Sequence, residues 1–131
     1  MHVLEAGDWS LLLPPDWQAD EVEGAVVIED RDGVGCLEFS ELYKDSGEFE
    51  VAELEQFADA SYSWAPVTLG SFSGLYSELV EDGAAIREWC VFAGDLLLYI
   101  TYSCEVENQG MDDSAVNDIL DTLRFAKGGE A

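Results

Sequence analysis

Three consecutive runs of strand-forming residues, separated by two short turns, constrain the fold of this chain more than any other feature. The runs cover residues 74–80, 84–92 and 96–104 and are rich in branched and aromatic side chains. The intervening Glu81-Asp82-Gly83 and Ala93-Gly94-Asp95 are typical of tight turns. Together they predict an antiparallel meander. Because the last run is apolar on both faces, we expect it to be a central strand that is covered on both sides.

The first half of the chain contains further strand patterns. Residues 9–14 predict a first strand that ends at a pair of prolines. Residues 25–29 and 34–43 flank Arg31-Asp32-Gly33, which is the pattern of a hairpin. A short strand is also predicted over 67–72.

Two segments have the spacing of amphipathic helices. A helix over 50–61 is predicted from apolar residues three and four positions apart, namely Val51, Leu54, Phe57 and Ala58. A helix over 112–124 is predicted from the apolar stripe of Val116, Ile119, Leu120 and Leu123. The sequence therefore predicts an α+β fold, in which a largely antiparallel β-sheet of about six to seven strands packs against a mid-chain helix and a C-terminal amphipathic helix.

Length and charge restrict the class of protein. With 131 residues and no linker, we expect a single domain over 1–131, with its core over about 8–126 and short flexible termini. The 29 acidic and 5 basic residues give a formal net charge of −24. This charge argues against binding to nucleic acid, because phosphates are repelled, and against docking on anionic membrane surfaces.

The residue types that enzymes and cofactor sites need are scarce. His2 is the only histidine and lies beside the N-terminus, which argues against a catalytic triad and a histidine-based zinc site. No nucleotide-binding glycine motif occurs. Cys36, Cys90 and Cys104 lack CxxC spacing and lie in strand-like runs, which predicts reduced, buried thiols. We therefore expect no catalytic residue, no cofactor and no metal, and hence no enzyme.

Acidic residues alone suggest two further kinds of site. Paired carboxylates can hydrolyse glycosides, but among 29 acids some pairs lie close by chance, and a solvated surface accounts for them. The segment from Asp30 to Glu41 partly matches a calcium-binding loop. Val34 stands where such a loop needs a side-chain ligand, and no helix flanks the segment, so a hairpin turn is favoured.

An uncharged stretch between Asp59 and Glu78 is the clearest candidate for a binding surface. Aromatic residues with few charges resemble the centre of a protein interface. The alternative is a buried strand with its turn, because strand interiors also lack charge. The candidate partner-binding residues in this stretch are Tyr62, Trp64, Phe72 and Tyr76.

The order of these elements, with two short motifs, resembles the PsbP-like fold family. The first strand leads into Pro14-Pro15-Asp16-Trp17, and residues 119–125 read Ile-Leu-Asp-Thr-Leu-Arg-Phe. This family includes the photosystem extrinsic protein, a Ran-binding import factor and bacterial chaperones for secretion effectors. The resemblance implies a scaffold that binds other proteins. It assigns no functional residue, because the family shares no catalytic motif.

Size, acidity and this resemblance together predict a non-enzymatic, acidic protein-binding module. We expect a small bacterial chaperone or adaptor for a secreted effector or other client, whose partner is a protein with an apolar or basic segment. An alternative is an immunity-type inhibitor of a basic toxin enzyme. A further alternative is salt adaptation, in which the acidity has no partner at all.

Location and assembly follow from weaker signals. Residues 1–8 lack the pattern of a signal peptide, and the longest apolar run is far shorter than a membrane span, which predicts a cytoplasmic protein. The sequence leaves the oligomeric state open. A dimer through the uncharged stretch would be opposed at low salt by repulsion between two chains of −24.

Overall fold

The computed structural model describes residues 2–31, 33–56 and 63–126. This part of the chain contains one α-helix, α1 (Asp113–Leu120), and short 3₁₀ turns at Val51–Gln56 and Val106–Asn108. Its strands, in chain order, are β1 (His2–Ala6), β2 (Trp9–Leu13), β3 (Trp17–Val22), β4 (Ala25–Asp30), β5 (Gly35–Tyr43), β6 (Ala65–Leu69), β7 (Phe72–Glu81), β8 (Ala84–Ala93), β9 (Leu96–Glu105) and β10 (Arg124–Phe125).

The strands form two antiparallel sheets. The larger has seven strands in the order β3-β4-β5-β9-β8-β7-β6, and the smaller has the order β1-β2-β10. The predicted α+β class with a largely antiparallel sheet is therefore confirmed. Strand β9 occupies the middle of the larger sheet, as its apolar run predicts.

One face of the seven-stranded sheet, here called the inner face, carries the main core. Phe39, Ile100 and Trp89 form a row across β5, β9 and β8, and each is at most 2% exposed. The small sheet covers part of this face, with the ring of Trp9 stacked 4.9 Å from that of Phe39. Helix α1 covers a further part through the buried residues Val116, Ile119 and Leu120. The predicted C-terminal amphipathic helix is thus confirmed.

This helix is shorter than the predicted range of 112–124. The hydroxyl of Thr122 donates to the carbonyl of Ile119 at 2.6 Å and accepts from the N–H of Leu12 at 2.8 Å. These bonds turn the chain towards β2, where Arg124–Phe125 pairs as β10. The apolar stripe ends on Leu123, which is buried outside the helix.

The predicted mid-chain α-helix over 50–61 is wrong where the structure describes it. Val51–Gln56 forms a 3₁₀ turn, in which the N–H of Glu53 bonds to the carbonyl of Glu50 at 3.0 Å. The carboxylate of Glu53 also accepts from the N–H of Glu50 at 3.0 Å, which is the capping-box bond found at the start of a helical turn. Residues 57–61 lie outside the described part of the chain.

Several strand predictions also need correction. The strand predicted over 67–72 spans Ala65–Leu69, because a turn at Gly70 and Ser71 assigns Phe72 to the next strand. Strands β1, β3 and β10 were not predicted. β3 is an edge strand of acidic composition, which lacks the apolar alternation of a half-buried strand. Its turn to β4, Glu23 and Gly24, has φ values of 51° and 84°.

Candidate partner-binding face

The second face of the seven-stranded sheet, here called the outer face, is only partly covered. Residues 48–54, here called the covering segment, cross one end of it. Phe49 and Leu54 of this segment are buried against Cys90 and Leu97, with Phe92 beside them. The prediction that β9 is covered on both sides therefore holds at Leu97 but not at Tyr99, which is 39% exposed.

Lys44 binds the covering segment at the end of β5. Its Nζ lies 2.7 and 2.8 Å from the two carboxylate oxygens of Glu53 and 3.1 Å from the carbonyl oxygen of Glu48. The same Nζ lies 5.6 Å from the ring centre of Phe49. The hydrogen bond from Lys44 is the main reason that the pKa of Glu53 lies below its usual value of 4.5. The positive charge of Lys44 is thus paired with the carboxylate of Glu53 within the chain.

The uncovered remainder of the outer face, here called the open face, is built from rows of side chains across three strands. Because side chains alternate along a strand, the paired residues of β5, β9 and β8 project together. One row is Glu38, Thr101 and Glu88, and the next along the strands is Ser40, Tyr99 and Cys90. The remaining large side chains of the open face are Val27, Leu42 and Ile86.

A groove lies beside Tyr99, next to the covering segment. It has a volume of about 240 Å³, and its walls are Ser40, Glu41, Leu42, Cys90, Leu97 and Tyr99. Leu97 and Cys90 are buried at its floor, whereas Leu42 is 44% exposed. The groove thus places two exposed large side chains, Leu42 and Tyr99, beside buried apolar residues, which is a feature of surfaces that dock another molecule.

The open face is acidic, with Glu38 and Glu88 among its side chains. Among the described strand residues of β4, β5, β9 and β8 that project to this face, none is lysine or arginine. Two bases directly follow these strands, and each lies next to a carboxylate. Arg31, after β4, lies 4.0 Å from Asp16, and Lys44, after β5, lies 2.7 Å from Glu53. Burial, together with the charges of Glu29 and Glu38, raises the pKa of the Cys36 thiol to about 11. The field at this face is therefore negative.

A second polar cluster lies on the inner face, around Arg87. Its Nε donates to the hydroxyl oxygen of Tyr76 at 2.8 Å, and one Nη donates to Oδ1 of Asn117 at 2.7 Å. The other Nη lies 3.4 Å from Asp113, and the guanidinium lies 4.7 Å from the ring centre of Trp89. The adjacent cavity has about 40 Å³, room for only a few waters. This cluster fixes α1 to the sheet.

The structure separates the residues that the uncharged stretch suggested as a binding surface. Trp64 packs against the cluster under the covering segment, on the outer side of the sheet. Phe72 is fully buried on the inner side and meets the ring of Phe125 at 6.1 Å. Tyr76 also lies on the inner side, at Arg87. Tyr62 lies outside the described residues, so the binding role of this stretch stays a prediction.

The residues of the open face were missed at the sequence level. A partial signal exists, because Tyr99 places a polar hydroxyl within an otherwise aliphatic run and residues 37–40 alternate between apolar and polar side chains. The described residues contain no group of three or more His, Cys, Asp or Glu side chains that is able to hold a metal ion. Nor does any helix in this part of the chain have the length and apolarity to cross a membrane.

Comparisons with known proteins concern the fold. No protein-family model matches the chain, and no curated protein matches it. A solved structure from Bacteroides thetaiotaomicron VPI-5482 is similar, with a TM-score of 0.72 and 20% identity over 93% of this chain and 46% of that one. The chain thus spans less than half of the Bacteroides chain.

A second similar structure is LpqN of Mycobacterium tuberculosis, which is described as involved in cell envelope biogenesis. Its TM-score is 0.65, with 18% identity over 95% of this chain and 90% of that one. At such identities these likenesses show a shared fold and carry no functional residue from one chain to the other.

Proposed function

We propose that this chain is a non-enzymatic protein-binding module that holds a segment of another protein on its open face. The observation that carries the proposal is the combination of an apolar groove at Tyr99 with surrounding carboxylates and no base among the described strand residues of that face. A chaperone or adaptor for a client protein is the role that fits this surface.

The two components of the open face would act differently on binding. Apolar side chains such as Leu42 and Tyr99 lose contact with water when a partner covers them, and this loss supplies affinity. The carboxylates attract a basic partner and mainly raise the association rate. Because screening weakens the second effect but not the first, part of the binding would survive high salt.

The groove supports this role more than it supports the immunity-type inhibitor. An inhibitor that blocks a cationic active site by charge would bind through exposed carboxylates, and its affinity would fall steeply with ionic strength. A client held in the groove beside Leu97 and Tyr99 would lose less affinity. We therefore favour the chaperone or adaptor. Membership of the PsbP-like family and a cytoplasmic location stay predictions.

The test is affinity capture from the native cell lysate with matched variants. Tyr99→Lys and Leu42→Lys each place a charge on the open face, whereas Val80→Lys places the same charge on an exposed residue of the opposite sheet side, where Val80 is 57% exposed. We expect the wild-type chain and Val80→Lys to capture the same stoichiometric protein, and the two open-face variants to lose it.

Unfolding midpoints of all four proteins serve as the control for folding. Capture that is unchanged in both open-face variants would contradict the proposal, and so would a wild-type chain that captures no stoichiometric protein. Repeating the capture at high salt separates the two roles: a client is retained in part, and a toxin enzyme bound by charge is released.

A further inference from the structure

Resting on the proposed function, we infer that the bound segment is extended and presents an arginine or lysine two positions from an apolar residue. The basic group lies between Glu38 and Glu88, and the apolar side chain lies in the groove beside Tyr99.

The position of the basic group follows from the strand register. Glu38 and Glu88 are the partners of Thr101 on either side of β9, so their Cα atoms are about 10 Å apart across two strand spacings. Both carboxylates project from the same side of the sheet, with only the side chain of Thr101 between them. A cation placed above Thr101 would therefore be attracted by both.

No base within the described part of the chain neutralises this pair. Lys44 is bound by Glu53, Arg87 lies on the inner face at Tyr76, and Arg124 belongs to the small sheet. Because the net charge of the chain is −24, a partner that brings positive charge to the open face is attracted electrostatically. An arginine suits the site best, because its planar fork can donate to carboxylates and stack on a ring.

The place of the apolar side chain follows from the groove. Its volume of about 240 Å³ lies below the ~300–1,000 Å³ that is usual for small-molecule pockets, and this favours one or two side chains of a polypeptide. Leu97 and Cys90 form a buried floor, and Leu42 and Tyr99 form exposed walls. The groove thus accepts an apolar side chain from above the sheet.

The spacing between the two positions matches an extended chain. The row of Tyr99 and the row of Thr101 are two residues apart along β9, which is about 7 Å in a strand. An extended segment places alternate side chains on one side at the same interval. A segment that lies along β9 would therefore set a basic residue over Thr101 and an apolar one over the groove.

The probe is a fluorescently labelled peptide that contains Arg-Ser-Leu between glycines and serines, titrated at physiological ionic strength. Two comparison peptides contain Arg-Ser-Ser and Glu-Ser-Leu in the same frame. The protein variants are Glu38→Gln/Glu88→Gln and, with the same change in net charge, Glu21→Gln/Glu107→Gln, which alters exposed acids away from the open face.

We expect Arg-Ser-Leu to bind more tightly than either comparison peptide. The open-face double variant should weaken its binding at least about fivefold, since both carboxylates that attract the arginine are lost, and the control variant should change it less than about twofold. Equal weakening in both variants would mean that only the overall charge attracts the peptide, and it would overturn the inference. No measurable binding of Arg-Ser-Leu to the wild-type chain would also overturn it.

The two levels of the proposal fail separately. If the native partner is lost with Tyr99→Lys but retained with Glu38→Gln/Glu88→Gln, the protein-binding role stands and the inferred chemistry of the segment falls. If the native partner is retained with both, the open face is not the binding site and the proposed function itself falls.

Discussion

The hydroxyl of Tyr102 donates a hydrogen bond to Oδ2 of Asp112 at 2.6 Å, and both residues are buried. Tyr102 belongs to the central strand β9 and Asp112 directly precedes α1, so this bond joins sheet and helix. Burial, with the neighbouring carboxylate, raises the pKa of Tyr102, and the hydroxyl therefore keeps its hydrogen as a donor.

Replacing Tyr102 by Phe should lower the free energy of unfolding by about 1–2 kcal/mol, because it removes a donor from a buried carboxylate. Urea unfolding measures the loss. A double-mutant cycle with Asp112→Ala isolates the pair, and we expect a coupling energy of at least about 0.5 kcal/mol. Additive effects of the two substitutions would contradict the role given to this bond.

Replacing Arg87 by Lys should also destabilise the protein, by about 1–3 kcal/mol in urea unfolding. The substitution keeps the charge but loses the fork that reaches Tyr76 and Asn117, and it loses the stacking on Trp89. Arg31→Lys is the matched control, since the Arg31 side chain is 71% exposed and its ion pair spans 4.0 Å. Equal effects of the two substitutions would show that Arg87 contributes only charge.

The Lys44–Glu53 pair should make the covering segment sensitive to acid. Because the folded-state pKa of Glu53 is depressed below 4.5, the stabilisation is present above the unfolded value and is lost as the pH falls through the folded one. We therefore expect the N–H of Phe49, which bonds to the carbonyl of Gly94 at 2.8 Å, to lose protection against hydrogen exchange in this acid range.

Glu53→Gln should cause the same loss of protection at neutral pH. The control is Glu48→Gln, because only the backbone carbonyl of Glu48 contacts Lys44. Amides in the centre of β9 should keep their protection in both variants, since they open only with the whole sheet. If hydrogen exchange at Phe49 is unchanged in Glu53→Gln, the Lys44–Glu53 pair does not hold this segment on the sheet.

The Cys36 thiol reports the negative field of the open face. Glu38→Gln should lower its pKa from about 11, because one of the charges that raise it is removed. The measurement is the pH dependence of iodoacetamide alkylation, with the modified cysteine identified by mass. Glu107→Gln, which changes the net charge equally, should leave this pKa unaltered. A Cys36 pKa that is equal in both variants would contradict a local effect of Glu38.

The accuracy of the sequence predictions depended on how local each signal was. The meander over β7, β8 and β9 was predicted with its turns, because Glu81-Asp82-Gly83 and Ala93-Gly94-Asp95 lie between the strands they join. Val51 and Leu54 have helical spacing, yet Val51–Gln56 forms a 3₁₀ turn in which Leu54 is buried under the influence of the neighbouring sheet. The spacing of apolar residues was a weaker guide than the turns.

The candidate site depended on contacts that no local pattern contains. The uncharged stretch drew attention to Phe72 and Tyr76, and both belong to the side of the sheet that packs on the core. Phe72 is uncharged because it is buried in the core, and Tyr76 accepts a hydrogen bond from Arg87 within the chain. Tyr99 stands in an apolar run that predicts a covered strand, but the covering segment packs on Leu97 and leaves Tyr99 39% exposed.

Local sequence patterns predict the meander of β7, β8 and β9, the apolar stripe of α1 and the negative charge, because each depends on neighbouring residues or on composition alone. Which face of the sheet remains open depends on how distant parts of the chain pack together. Glu38 and Glu88 become neighbours only because β9 pairs with both β5 and β8, and this pairing joins residues that are distant in sequence. Burial and charge at the open face are properties of that arrangement, so they emerge only when the sheet is assembled.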